Sequence, residues 1–294
     1  MSAPRISEQD VINNVHGITD VEYLDKGGQK IVFSCKIGAS PYVIKFLKIA
    51  EDADDEDAIQ EDIVARAKRE IEIMDRCDCS NLVKLGPIRM TEAKINGERV
   101  LFFTEEFIEG VPLHSVIKGQ ALSFRNTVQL GLDIAAAIQS LWNIRMVHRD
   151  IKPKNIVQRG SGSYVLLDAG IAFDLNAESL TSFGPVGTRL YMSPEQIINP
   201  SRSLDFRSDL FLLGLTMYES ISQQHPFYQG GMDATAVMGS IVHSVPKQVM
   251  QLVPDIPPAL NRVIMRLLAK QPHLRYKSID SLRDDLTRIL EGLE

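Results

Sequence analysis

His148-Arg149-Asp150-Ile151-Lys152-Pro153-Lys154-Asn155 is the stretch from which the rest of the chain can be read. Fixing a His-Arg-Asp triplet and an Asn five positions after that Asp leaves about two chance matches per thousand chains of this length. The spacing has a physical use: an aspartate can reach a reacting hydroxyl while an asparagine a few residues on turns back toward a metal ion. Outward from it, Asp168-Ala169-Gly170 follows the apolar run Tyr164-Val165-Leu166-Leu167, and Ser193-Pro194-Glu195 stands beyond. Upstream, Tyr42-Val43-Ile44-Lys45 is a strand-like run ending in a lysine, and Glu70 lies in Lys68-Arg69-Glu70-Ile71. Each piece alone is weak, since a Lys–Glu pair is usually a surface ion pair and Asp-Ala-Gly usually a turn. Their order carries the signal.

The elements around these motifs follow from periodicity. Lys30–Ile37 and Tyr42–Lys48 read as strands joined through Gly38-Ala39-Ser40-Pro41; Leu82–Arg89 and Arg99–Ile108 read as two more, with Asn96-Gly97 as a hairpin turn. Between them, Ile59, Ile63, Ala67, Ile71 and Met74 recur at helical spacing. After Gly110 the pattern becomes helical: Ser123 is an N-cap for a helix to about Trp142, and helices are expected near 209–221, 259–270 and 278–290. Ile156–Val157 and Tyr164–Leu167 read as a small sheet. A β-rich third with one helix, followed by a helical remainder, is an α+β arrangement of two lobes.

The ordered set Lys45, Glu70, His148…Asn155, Asp168-x-Gly170 and Pro194-Glu195 resembles that of eukaryotic-type serine/threonine protein kinases over about residues 21–290. The resemblance implies a bilobal protein-kinase-like fold: a small antiparallel β lobe with one main helix at 19–110, and a larger, mostly helical lobe at 111–294. The polar residues 1–18 ahead of it read as an N-terminal extension or short helix. It implies transfer of the γ-phosphate of ATP to Ser/Thr hydroxyls of proteins. By role, Lys45 held by Glu70 grips the α/β-phosphates, and Asn155 and Asp168 hold Mg²⁺, a place Mn²⁺ would also fill. Asp150 orients the substrate hydroxyl and accepts its proton, and Lys152 steadies the γ-phosphate. Gly27, Gly28, Val32, Glu106 and Val157 fall where the family lines its nucleotide site. His148 and Asp209 fall at structural positions, and Arg275 at the position that pairs with Glu195.

Several positions depart from the family. In the glycine-rich loop Asp25 replaces the first glycine and Lys30 the third; Ala169 replaces the phenylalanine of Asp-Phe-Gly, a gap that Met74 is a candidate to fill. Glu105 falls at the position guarding the adenine pocket, or one residue from it. Ser179, Thr181 and Ser182 are available for phosphorylation, but residues 169–187 contain no Lys or Arg to receive the phosphate. These departures keep open a second reading, a pseudokinase acting as a scaffold or allosteric partner, and a remoter third, a kinase-fold enzyme acting on a small molecule.

The 294 residues are 44% hydrophobic and 24% charged, which excludes a disordered chain and fits about two domains. The net charge of -6 argues against a nucleic-acid binder, yet residues 51–62 (EDADDEDAIQED) hold eight acids, so the remainder sums to +2. That acidic segment reads as a solvated insertion, or as a dock for a basic partner. Cys35, Cys77 and Cys79 cannot build a disulfide framework, and Cys77-Asp78-Cys79 lacks the neighbours for a metal site. With no apolar leader and no membrane-length apolar run, a cytoplasmic protein with no membrane partner is expected.

Overall fold

The computed structural model describes residues 3–27, 30–49, 57–168, 190–199 and 204–293. They fall into two units, the chain up to Arg76 with Val83–Ile108, and Cys77–Leu82 with Glu109–Glu294. In the first unit β1 (Ile18–Lys26), β2 (Lys30–Ile37), β3 (Ser40–Lys48), β4 (Thr91–Ile95) and β5 (Glu98–Glu106) form one sheet of order β1-β2-β3-β5-β4. Every neighbouring pair is antiparallel. The β4–β5 turn is the expected one: Asn96 at φ 52° and Gly97 at φ 81° give the doubly left-handed pair that matches strand twist. One sheet face buries Phe33, Ile44, Phe46, Val100 and Phe102, with Phe46 stacked on Phe102 at 5.2 Å between ring centres.

Two sequence expectations change here and one is narrowed. Of the two readings of residues 1–18, extension or short helix, the helix holds: Ser7 caps α1 (Glu8–Asn14) in a reciprocal box with Asp10, and Ile6, Val11 and Val15 complete the sheet's core. Leu82–Arg89 is not a strand. It still meets β5, with the Gly86 amide on the Thr104 carbonyl at 2.8 Å and the Thr104 amide on the Ile88 carbonyl at 2.9 Å, but Pro87 between them can donate nothing, and only isolated bridges form at Leu82 and Leu85. Finally, the acidic segment is not wholly a loop, because α2 (Asp57–Arg76) begins inside it. Acids at a helix N-terminus complement the macrodipole. The buried stripe of α2 includes Ala67, Glu70, Ile73 and Met74, so a charged residue shares the apolar face, while Ile71 is only half-buried.

In the second unit the short β6 (Val111–Pro112) pairs with β7 (Ile156–Gln158), and β7 with β8 (Tyr164–Leu166). Gly110 precedes β6 of necessity: a Cβ there would lie 2.2 Å from the Gln158 carbonyl oxygen. α3 (Leu113–Gly119) follows, then α4 (Phe124–Asn143), whose first turn is capped by Ser123 accepting from the Asn126 amide at 3.1 Å. The remaining helices are α5 (Pro194–Ile198), α6 (Phe206–Ser222), α7 (Ala234–His243), α8 (Pro258–Leu267) and α9 (Ile279–Glu291). α6 is buried almost all round, as the run Leu210–Leu215 requires, and α8 comes so near that a Cβ on Gly214 would meet Leu267 Cβ at 2.7 Å. No helix among the described residues is long and apolar enough to cross a membrane.

Candidate active site

Each unit carries one part of the constellation. In the first unit the β3–β5 register sets Lys45 opposite Phe103 and Val43 opposite Glu105. Side chains two apart on a strand share a face, so Glu105 is a diagonal neighbour of Lys45. The Lys45 ammonium donates to Glu70 Oε1 at 3.0 Å and to Glu105 Oε1 at 2.6 Å. Lys45, Glu70 and Glu105 are 4%, 6% and 3% exposed. The Lys45–Glu70 pair is the one expected. Glu105 as a second partner is not, and it resolves the difficulty of a buried carboxylate, because the charge is paired.

The neighbouring expected nucleotide residues are placed less tightly. Val32 is buried on β2, opposite Lys45. Gly27 closes the β1–β2 connection through its amide, which donates to the Lys30 carbonyl at 3.0 Å. Asp25 is exposed, and its carboxylate accepts from the Lys26 amide at 2.8 Å. Glu106 ends β5, half-buried, with its amide bonded to the Lys84 carbonyl at 2.8 Å. Gly28, residues 50–56, Ala169, Gly170, Ser179, Thr181 and Ser182 lie outside the described residues. So do the proposed filling of the Ala169 gap by Met74 and the phosphorylation sites.

In the second unit the loop after α4 is held almost wholly by its backbone. Buried Asp209, near the start of α6, accepts from the His148 and Arg149 amides, both at 2.8 Å. Burial pushes its carboxyl upward, while His148 and the two amides oppose that shift. His148 presents Nε2 to the Leu167 carbonyl at 3.0 Å. Arg149 takes a left-handed φ of 68°, and its carbonyl accepts from Gln196 at 3.1 Å. Gln196 was not visible as a candidate, although Ser193 three residues earlier marks it as the far member of a capping box.

What this scaffold presents is Asp150. Lys152 donates to both its carboxylate oxygens at 2.7 Å, and Asn155 Nδ2 donates to its Oδ2 at 2.8 Å and to its carbonyl at 2.9 Å. With its nitrogen so engaged, Asn155 offers its amide oxygen as the remaining side-chain acceptor. The β7–β8 ladder brings Asp168 beside it, since the Leu167 amide bonds to the Asn155 carbonyl at 2.8 Å. Asp168 has a left-handed φ of 53°. A carboxylate and an amide oxygen are hard donors of the kind Mg²⁺ takes, so the residues fit that ion. Val157 is buried on β7.

A second layer fixes these parts. Asp133 on α4 accepts from the Tyr164 amide at 2.7 Å, and Asn81 donates to the Tyr164 carbonyl at 2.9 Å, so β8 is held from both sides. Glu195 and Arg275 meet as a fork at 2.6 and 2.9 Å. Burial pushes Glu195 up, but Arg275 and Ser208 outweigh it and hold its carboxyl below the ordinary range. Tyr191 donates to Glu219, and His225 Nε2 holds the Leu190 carbonyl at 3.0 Å. Cys77 is buried, its thiol 3.7 Å from the Ser140 carbonyl, and all three cysteines are free thiols.

Comparison with known proteins bears on the same residues. A model of the protein kinase domain matches residues 19–286. A probable serine/threonine-protein kinase of Clostridium perfringens is 29% identical over 275 residues, covering 92% of this chain and 38% of the relative. The serine/threonine-protein kinase PknA of Mycobacterium tuberculosis is 34% identical over 204 residues, 68% of this chain and 46% of that protein. A probable serine/threonine-protein kinase PknB of Bifidobacterium longum is 30% identical over 244 residues, 80% and 35%. The chain thus spans less than half the length of these relatives.

Proposed function

Because the chain belongs to the protein kinase family, we propose that it is an ATP-dependent serine/threonine protein kinase, transferring the γ-phosphate of ATP to Ser/Thr hydroxyls of proteins. The observation that carries this is the Asp150 carboxylate, held between Lys152 and Asn155 on a loop whose amides are pinned by buried Asp209. Phosphoryl transfer needs positioning and charge neutralisation more than covalent help from the protein.

Asp150 orients the substrate hydroxyl and takes its proton as the oxygen–phosphorus bond forms and the bond to ADP breaks. Lys152 shares its charge between Asp150 and the γ-phosphate. Lys45, oriented by Glu70, holds the α/β-phosphates. Asn155 and Asp168 hold Mg²⁺, or Mn²⁺ in its place, which neutralises charge on the phosphates when bound. Gly27, Gly28, Val32, Glu106 and Val157 line the nucleotide. The acidic segment 51–62 is offered as a dock for a basic partner, and the cytoplasm as the compartment.

The test is label transfer from ATP with Mg²⁺ onto a generic basic protein. Asp168→Ala should abolish it, and Asp150→Asn should lower kcat by about 10²–10⁴. The exposed Asp25 where the family has glycine favours a second reading, a scaffold that binds nucleotide without turnover. Binding of ATP with no transfer to any substrate would establish that reading instead.

A further inference from the structure

We infer that Glu105 is a positioning residue that competes with nucleotide phosphate for the charge of Lys45, and so sets nucleotide affinity from within the sheet. The inference rests on the kinase reading above. Its basis is the asymmetry of the two carboxylates around one ammonium. Glu70 reaches Lys45 from a helix at 3.0 Å, whereas Glu105 reaches it at 2.6 Å from β5, the strand hydrogen-bonded to the one that carries Lys45. The Glu105 contact is therefore set by the register of the β3–β5 ladder, and the Glu70 contact by the packing of α2.

All three side chains are buried, where charges are poorly screened and two carboxylates more than neutralise one ammonium. The Phe103 ring lies 5.9 Å from Lys45 Nζ. An arriving phosphate oxygen must therefore draw on a lysine whose field is already spent on two anions. One carboxylate suffices to orient Lys45. The second lowers affinity for a polyanion, which makes Glu105 a brake on nucleotide binding.

Glu105→Gln isolates the charge, because glutamine keeps the length and the accepting oxygen. Glu105→Asp keeps the charge but withdraws it by one methylene, and serves should the glutamine variant fold poorly. Binding of a non-hydrolysable ATP analogue with Mg²⁺ is measured by calorimetry. In parallel, acylation of Lys45 by an N-hydroxysuccinimide ester is followed by mass spectrometry without nucleotide. Removing the charge should tighten Kd by about 3–10-fold and speed Lys45 acylation by a similar factor. Aspartate should give a smaller change in the same direction.

If Glu105→Gln binds the analogue no tighter than the wild type, the competition is overturned, and Glu105 merely satisfies a buried lysine. If Lys45 acylation is unchanged in both Glu105 variants, the pairing itself is overturned. If neither the wild type nor any variant binds the analogue, the kinase reading falls, while the acylation rates still decide whether Glu105 holds Lys45.

Discussion

Arg275 is 1% exposed and all five of its donors are used: Nε on the Ala269 carbonyl, and the two terminal nitrogens on Glu195 and on the Arg207 and Lys270 carbonyls. Its guanidinium also lies 4.9 Å from the Phe211 ring centre. Lysine would keep the charge but bring three donors to five acceptors; Ser208 still serves Glu195 Oε1, so at least one acceptor is orphaned, at about 1–3 kcal/mol. Arg275→Lys should therefore cost about 1–3 kcal/mol. Arg275→Met leaves the Glu195 carboxylate buried beside no cation and should cost about 3–5 kcal/mol. Adding Glu195→Gln to Arg275→Met should recover part of that loss, since the stranded charge is removed. For a domain of this size, ~3 kcal/mol corresponds to roughly 6–12 °C in Tm. The single tryptophan, Trp142, packs 5.3 Å from Phe206 in the same unit, so its fluorescence reports this transition during urea unfolding. An Arg275→Lys midpoint within experimental error of the wild type would refute the argument.

Three further outcomes are expected. Burial lowers the His225 pKa from 6.5 to about 4, so between those values the unfolded chain takes up a proton that the native state refuses. Stability should fall by about 3 kcal/mol as pH drops from 6.5 to 4, and His225→Gln should flatten that slope in urea midpoints taken across the range. Gly110→Ala places a methyl against the Gln158 carbonyl at 2.2 Å, so β6 must separate from β7, and amide exchange at Val111 and Gln158 should quicken while α8 and α9 stay protected. Ser123→Ala removes the α4 cap and should cost about 1 kcal/mol in the same urea assay, with no change of fold.

How much of this was legible depends on how local the cause is. The strands at Lys30–Ile37 and Ser40–Lys48 and the Asn96-Gly97 turn come from neighbouring residues, and so could be read. The same holds for the Ser123 cap and for the loop that presents Asp150. The pairing of Glu195 with Arg275 spans 80 residues and was reached through family resemblance, not through pattern. Leu82–Arg89 misled because its apolar residues suit a strand, and it does bond to β5 at Gly86 and Ile88, while Pro87 interrupts a regular ladder. α7 (Ala234–His243) escaped notice because its residues are apolar with little periodicity. Glu105 could be placed but not understood: its partner lies on another strand, and β5 is buried on both faces from Val100 to Glu105, so no single-strand reading says which face meets a lysine.

The docking of α1 bears on what counts as the smallest piece able to fold alone. The family match begins at residue 19, yet Ile6, Val11 and Val15 sit in the same core as Phe33 and Phe46. The Arg5 amide is tied to Glu98 at 2.9 Å, and Asn96 in the β4–β5 turn donates to Asp10 at 2.9 Å. A fragment cut at the edge of the match would bare one side of the sheet to water and untether its far hairpin. What is recognisable as kinase and what fills the core of this sheet are therefore different lengths of chain, and the second is longer by a helix.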